Sequence, residues 1–396
     1  MNPMTIHLTC PDNPGTFQTD LIQAALDQCR DNGCGEVILG DGDWHIASIR
    51  MYSNTTLHLS AGTHLIASDN FKDYTFYGFR STLGYLESPF VVDLWNLPPY
   101  YAYAPIVAVE AENVAVIGEP GSWIDGSDCL DPNGEEKFRG PMGMVFSKCR
   151  SVTLKGYTYR NAANWCHQLD SCMNVHMDGV TVLGGHDGIN IHHCEGVLIE
   201  NCDFRTGDDC IAGYNTQNVI VRNCQLNTSC SSFRIGGKNL LVENCRFWGP
   251  GEYPHRVSGR HNSLFVIEYY AMRYDVFHVD SENWVFRNCT FDNIDGFIHY
   301  RYGHLWLHDA RPLRDMTLEN VQITNLLHGS ILNPVAGNPL TITMKNVSVG
   351  WRNGLPATKK SDSVKLCNEV PEKGFAETTP DVKVIMENVT IEGINA

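Results

Sequence analysis

The chain has 396 residues, more than twice the length of a common domain, with 19% charged and 43% hydrophobic residues. That composition excludes the disordered, collagenous and coiled-coil classes, and no stretch approaches the ~18 apolar residues of a membrane span. Lys+Arg of 29 against Asp+Glu of 45 gives a net charge of −16, which argues against nucleic acid and anionic membrane as partners.

The opening MNPMTIHLTC has neither the basic nor the apolar region of a secretory signal, so a cytoplasmic location is expected. The 15 cysteines include no CxxC pair. They read as buried free thiols rather than as a zinc ribbon or a redox motif.

Residues 19–32 predict a capping helix with Thr19 as N-cap and Gly33 as terminator. Leu21, Ile22, Ala25, Leu26 and Cys29 make its apolar face. GEVILGDGDWHI and NTTLHLSAGTHLIAS then read as the first strand coils. Residues 74–105 interrupt them with an aromatic insertion: a wall over a groove, a stacking surface for a ligand, or an oligomer contact.

From 143 to 350 the coils are regular. SVTLKGY (151–157), GVLIENC (196–202), NVIVRNC (218–224), NLLVENC (239–245) and NWVFRNC (283–289) each carry Gly or Asn at the penultimate position. Gly156, Gly179, Asn201, Asn223, Asn244, Asn288 and Asn320 follow one another by 23, 22, 22, 21, 44 and 32 residues. The long steps are two coils, and one coil with an inserted loop. A strand-only period of this size is the mark of a parallel β-helix, and it lets residues 1–396 form a single all-β domain. Equivalent residues then stack about 4.8 Å apart. Asn201, Asn223, Asn244 and Asn288 are expected to form a ladder, and Cys202, Cys224, Cys245 and Cys289 an inward stack.

Adjacent coils contain GGHDGINIHHC (184–194), TGDDCIAGY (206–214) and TSCSSFRIGG (228–237). Asp187 and Asp209 are 22 residues apart, so the register puts them at one corner of neighbouring coils, with Asp208 alongside. Asp187 shares the parity of Ile189 and Ile191, so it must sit at the bend before the strand. Clustered carboxylates repel one another, which raises at least one pKa. One protonated and one ionised carboxyl is what glycosidic cleavage requires. An isolated Asp-Asp in a Gly-rich turn would be a turn composition only.

With GDDCIA (207–212), Asn164–Trp165 and the aspartate of GHD (185–187), the chain resembles the polygalacturonase-like glycoside hydrolases over most of its length, most densely from 164 to 245. The resemblance implies a single-stranded right-handed parallel β-helix and an inverting hydrolysis. It implies Asp208 as general acid, and Asp187 with Asp209 as the groups that hold and deprotonate the attacking water. The sequence departs from the family in two places. Cys230 stands where the family has its motif histidine. HNSLFVIEYY (261–270) occupies the R-I-K region, with Phe265 and Ile267 at the expected basic pair. The family's Arg and Lys grip the uronate carboxylate, so plain polygalacturonan is not the expected substrate.

Positions 167, 190, 212 and 234 step by 23, 22 and 22 with parity opposite to Ile189, Ile211 and Ile235. His167, Asn190, Ala212 and Arg234 are therefore expected on an outer groove face, with His192 and Tyr214 in the next outward row. Arg234 is the candidate substrate-binding cation. His167 is a sugar contact or a surface histidine, and His186 orients Asp187 or touches substrate. Trp165, Tyr269, Tyr270, Tyr302 and Trp306 are stacking faces or packing. HVDSEN and HYRYGHLWLHD offer no H-x3-H helix or Cys/His quartet, so neither metal nor cofactor is expected.

The leading expectation is an exo-acting glycoside hydrolase for an oligosaccharide that is pectin-related or from another plant or microbial glycan. The alternatives are a β-helix lyase or epimerase, which product ultraviolet absorbance would separate, and a non-catalytic carbohydrate-binding β-helix.

Overall fold

In Gly35–Leu39 burial alternates along the strand, with Val37 and Leu39 inside and Glu36 and Ile38 half-buried. This period-2 pattern recurs in strand after strand, and each strand pairs in parallel with its equivalent one coil on. The computed structural model describes residues 2–12, 16–78, 80–98, 103–273, 279–301, 311–334, 336–357 and 371–392. The fold is a single-stranded right-handed parallel β-helix. Two units are distinguished, Met1–Leu198 and Ile199–Ala396.

In the first unit, the strands form three parallel columns. One runs through Gly35–Leu39, Thr55–Leu59, Glu112–Gly118, Arg150–Lys155 and Met173–Asp178. A second runs through Ile106–Val109, Met144–Ser147, His167–Asp170 and Ile189–His192. A third runs through Thr63–Ala67, Trp123–Asp125, Thr158–Arg160 and Thr181–Gly184. Leu57, Val116, Leu154 and Met177 stack in one inward row with no exposure. Burying such side chains stabilises by roughly 1.5–3 kcal/mol each, which is how a coil with little core of its own persists against its neighbours.

Helix α1 (Thr19–Asp31) is the expected cap, with Ile22, Ala25, Leu26 and Cys29 buried. Two details differ from expectation. The N-cap position is Gln18, not Thr19, because both side chains turn to the adjacent strand: Gln18 Oε1 accepts from His45 N at 2.7 Å, and Thr19 Oγ1 from Ala47 N at 2.9 Å. Leu21 is 41% exposed and lies off the buried face. The chain leaves the helix through Gly33 at φ +85°, a conformation open to glycine at no steric cost.

The described part of the 74–105 insertion folds against the first unit. Short helix α2 (Pro89–Trp95) starts on a Ser88 side-chain cap, and Thr82 Oγ1 donates to the Asp170 carboxylate at 2.6 Å. Tyr85 lies on Trp165 (6.0 Å between centroids) and its hydroxyl meets His192 Nε2 at 3.2 Å.

The second unit repeats the three columns. Its asparagine ladder is longer than expected: Asn223, Asn244, Asn288, Asn320, Asn346 and Asn388 each donate Nδ2 to Oδ1 of the preceding rung, starting from Asn201, at 2.8–3.4 Å. All seven residues have φ near +55°, where asparagine is among the few non-glycine residues that sit readily. The cysteine stack is also present, with Cys202, Cys224, Cys245 and Cys289 buried. Each thiol donates to a carbonyl two residues back. A second stack of Cys149, Cys172 and Cys194 runs in the first unit.

Candidate active site

In the second unit, Asp208 and Asp209 occupy the turn between strands Asp203–Thr206 and Ile211–Arg222. Cross-strand partners Thr206 and Thr228 both donate their hydroxyls to the Asp208 carbonyl, at 2.7 and 2.5 Å, so the turn backbone is clamped from two coils. The two carboxylates present oxygens within 4.8 Å of each other.

Their surroundings differ. The Asp209 side chain is 3% exposed; Oδ1 accepts from Ser231 N at 3.2 Å and Oδ2 lies 4.0 Å from Arg234 Nη1. Burial, then the neighbouring Asp208 charge, push the Asp209 carboxyl up to about 7, against the pull of Arg234. Asp208 is 15% exposed and faces His255 Nε2 at 3.6 Å. The Ser258 amide donates to His255 Nδ1 at 3.2 Å, so a neutral ring carries its proton on Nε2, toward Asp208. Cys230 sits beside the pair. Burial and both carboxylates hold its thiol well above the usual range, and the Arg260 guanidinium touches Sγ at 3.4 Å.

His255 is the residue that sequence reasoning missed. It lies on the loop after strand Arg246–Trp248, where no coil period applies. The loop is pinned by Asn227 Nδ2, which donates to the Trp248 and Pro250 carbonyls at 2.9 and 2.8 Å, and by Asn227 Oδ1, which accepts from Glu252 N at 2.7 Å. An Arg205–Glu252 ion pair at 2.9 Å and the Ser229 hydroxyl on the Tyr253 carbonyl at 2.5 Å complete the anchorage. Only a residue without Cβ passes here: at Gly251 a Cβ would stand 2.1 Å from Ser229 Oγ and 2.5 Å from its amide nitrogen. The single legible signal was the GPGEYPH turn composition (249–255).

In the first unit, Asp187 precedes strand Ile189–His192, at the bend the parity argument required, and accepts from Asn190 Nδ2 at 3.0 Å. Asn190 is 1% exposed, so it orients a carboxylate rather than lying open to a ligand. The outer row expected through His167 is corrected. His167 pairs with Ile189, and it is Gln168 that pairs with Asn190. His167 is fully buried between Tyr157 OH at 3.0 Å and the Gly188 carbonyl at 3.0 Å, and burial lowers its pKa to about 4. His192 is also buried, stacked on Trp165 at 5.4 Å and 7°, so neither is an open face. His186 is 3% exposed and stacks on Phe138 at 6.0 Å.

The remaining expectations fall in the second unit. Arg234 is 28% exposed, pairs in register with Ala212 and Glu268, and lies 4.3 Å over the Tyr270 ring. Tyr214 has no exposure and meets Tyr270 edge-on at 5.5 Å, so it is not an outward side chain. Tyr269 and Tyr270 are buried as well; Tyr302 and Trp306 lie outside the described residues. Phe265 and Ile267 point inward, and the side chain that continues the Arg234 row is Glu268, held by His299 at 2.5 Å. An acid, not a cation, follows Arg234.

Residues 101–233 match the family described as glycosyl hydrolases family 28. A polygalacturonase of Saccharomyces cerevisiae is 25% identical over 122 residues, covering 27% of this chain and 33% of that protein. A polygalacturonase of Brassica napus is 23% identical over 242 residues, covering 57% of this chain and 51% of that protein. The chain thus spans between a third and about half of these relatives' lengths. The crystal structure of a hyperthermoactive exopolygalacturonase from Thermotoga maritima aligns with a TM-score of 0.73 at 16% identity, over 99% of this chain and 94% of that one. The chain is thus similar to polygalacturonases over part of its sequence, and it shares the fold of the exopolygalacturonase.

Proposed function

We propose that this protein is a glycoside hydrolase that cleaves an O-glycosidic bond of an oligosaccharide with inversion at the anomeric carbon. The observation that carries the reading is the Asp208–Asp209 pair: two carboxyls on one clamped turn, one nearly fully buried and pushed up to about 7, the other part-exposed beside an imidazole. A pair that retains one proton near neutrality supplies an acid for the leaving oxygen, while its ionised member serves the water. Asp208, the more exposed, meets the leaving oxygen and acts as general acid once the proton that Asp209 holds at rest passes to it. Asp209, ionised by that transfer, holds and deprotonates the water.

His255 directs its Nε2 proton toward Asp208 and sets the orientation of that carboxyl. Arg234 meets the substrate, and Glu268 beside it in the row favours a sugar unlike plain polygalacturonan, either another pectic fragment or a neutral glycan. The hydrolysis is exo-acting. Fourteen free cysteines among the described residues support a cytoplasmic enzyme that receives imported fragments.

The test is reducing-sugar release from a panel of uronic and neutral oligosaccharides by the wild type and Asp208→Asn. Release from one class, lost in the variant, supports the reading. Binding without release in both would replace it with a carbohydrate-binding β-helix.

A further inference from the structure

Asp208, Cys230 and His255 bring three different donor types to one place: one carboxylate oxygen, one sulfur and one imidazole nitrogen, all within 4.8 Å of one another. The closest pair, His255 Nε2 and Asp208 Oδ2, is 3.6 Å apart. Ligand bonds of about 2.0–2.3 Å around a tetrahedral ion put neighbouring donors roughly 3.3–3.8 Å apart, so about 1 Å of side-chain closure completes the set. We propose that these three residues form a binding site for a borderline-soft divalent metal ion, zinc by preference, and that its occupancy withdraws Asp208 from the acid role. The inhibitory consequence rests on the hydrolase reading above; the binding site does not.

Two of the three donors are rigidly placed. Asp208 is fixed through its carbonyl by Thr206 and Thr228, and the Cys230 amide donates to Thr228 Oγ1 at 2.9 Å. His255 is carried by the loop that Asn227 and Ser229 pin. Its Nδ1 lies 3.1 Å from Ser258 Oγ, which accepts the Nδ1 proton once Nε2 becomes a ligand, giving up the bond that Nδ1 now accepts from the Ser258 amide and forming the outer-shell contact that metal-binding imidazoles use.

A thiolate with an imidazole selects zinc over magnesium or calcium, which prefer all-oxygen shells. Asp208 and the adjacent Asp209 disfavour a bare thiolate but favour a divalent cation. On binding, the Cys230 S–H bond breaks, the proton goes to solvent, and the sulfur lone pair bonds the metal. Arg260, now 3.4 Å from Sγ, already donates to Ser258 Oγ at 2.7 Å and keeps that partner when sulfur turns to the metal. Three protein ligands leave a fourth position for water.

The experiment titrates the reduced, chelator-treated full chain with Co²⁺ and reads thiolate-to-cobalt charge-transfer absorption. Because the chain has 15 cysteines, the informative quantity is the difference between wild type and Cys230→Ser. The site predicts one equivalent of absorbing cobalt, displaced by Zn²⁺, lost in Cys230→Ser and weakened about tenfold or more in His255→Ala, which lies on a surface loop and leaves the coils intact. Identical titrations for wild type and both variants would overturn the proposal. If oligosaccharide cleavage is measurable, Zn²⁺ suppresses it, a chelator restores it, and Cys230→Ser resists. If no sample cleaves any sugar, the hydrolase reading fails while the cobalt titration still decides the site.

Discussion

Arg234 Nη1 stands 4.0 Å from Asp209 Oδ2, and the same guanidinium lies 4.3 Å over the Tyr270 ring. One cation is thus held by a buried aromatic face and shared between the most buried carboxyl of the turn and the surface where substrate is proposed to bind. It opposes the upward push of burial and of Asp208 on Asp209. Removing it acts on both.

Arg234→Ala is expected to lower kcat/KM for an acidic oligosaccharide about 10–100-fold, the worth of a charge-assisted contact, and a neutral one much less. In the absence of metal, the alkaline limb of the pH–rate profile, where the carboxyl pair loses its shared proton, moves to higher pH because the cation that lowered the pKa is gone. Paired pH profiles on uronic and neutral substrates read both effects.

Gly251→Ala tests the loop. The added Cβ collides with Ser229 backbone and hydroxyl, so the segment must lift and take His255 away from Asp208. Activity is expected to fall about tenfold or more, close to the loss in His255→Ala, while the thermal midpoint falls less than for a core truncation, because the collision lies at the end of strand Gln225–Thr228 and the loop lifts away from it. A large drop in midpoint with unchanged activity in the survivors would contradict the loop's role.

Stability should weaken in mild acid. His167 and His328 are buried neutral, and burial lowers each pKa from 6.5 to about 4. Protonation is therefore easier in the unfolded chain. The stabilisation is fully present above pH ~6.5 and is lost as pH falls toward about 4, at roughly 3 kcal/mol for each histidine. Denaturant midpoints between pH 7 and 4.5 read the slope, and His167→Gln should flatten it.

Most of the architecture was legible because a solenoid writes one local rule many times. The Asn201-to-Asn320 spacing gives the ladder, which the structure extends to Asn388, but the step of 44 that reads as two coils is one coil with an inserted segment, since Asn288 bonds Asn244 directly. The outer faces were less legible, since a shift of one residue moves a side chain to the other side of a strand. The step of 23 from His167 to Asn190 concealed that shift: the paired residue is Gln168, and His167 is core. Phe265 and Ile267 stood at the basic pair only through the resemblance to the R-I-K region, whereas pairing with Ser231 and Phe233 turns both inward. His255 could not be read from period at all. Its position depends on Asn227, Ser229 and Arg205, each from another coil, gripping one loop.

The most direct measurement is reducing-sugar release from the uronic and neutral panel by wild type and Asp208→Asn, with chelator present. The account predicts cleavage of one class by the wild type and a loss of about 10²-fold or more in the variant, with the fold intact. Equal release by both proteins would remove Asp208 from the acid role and contradict the account.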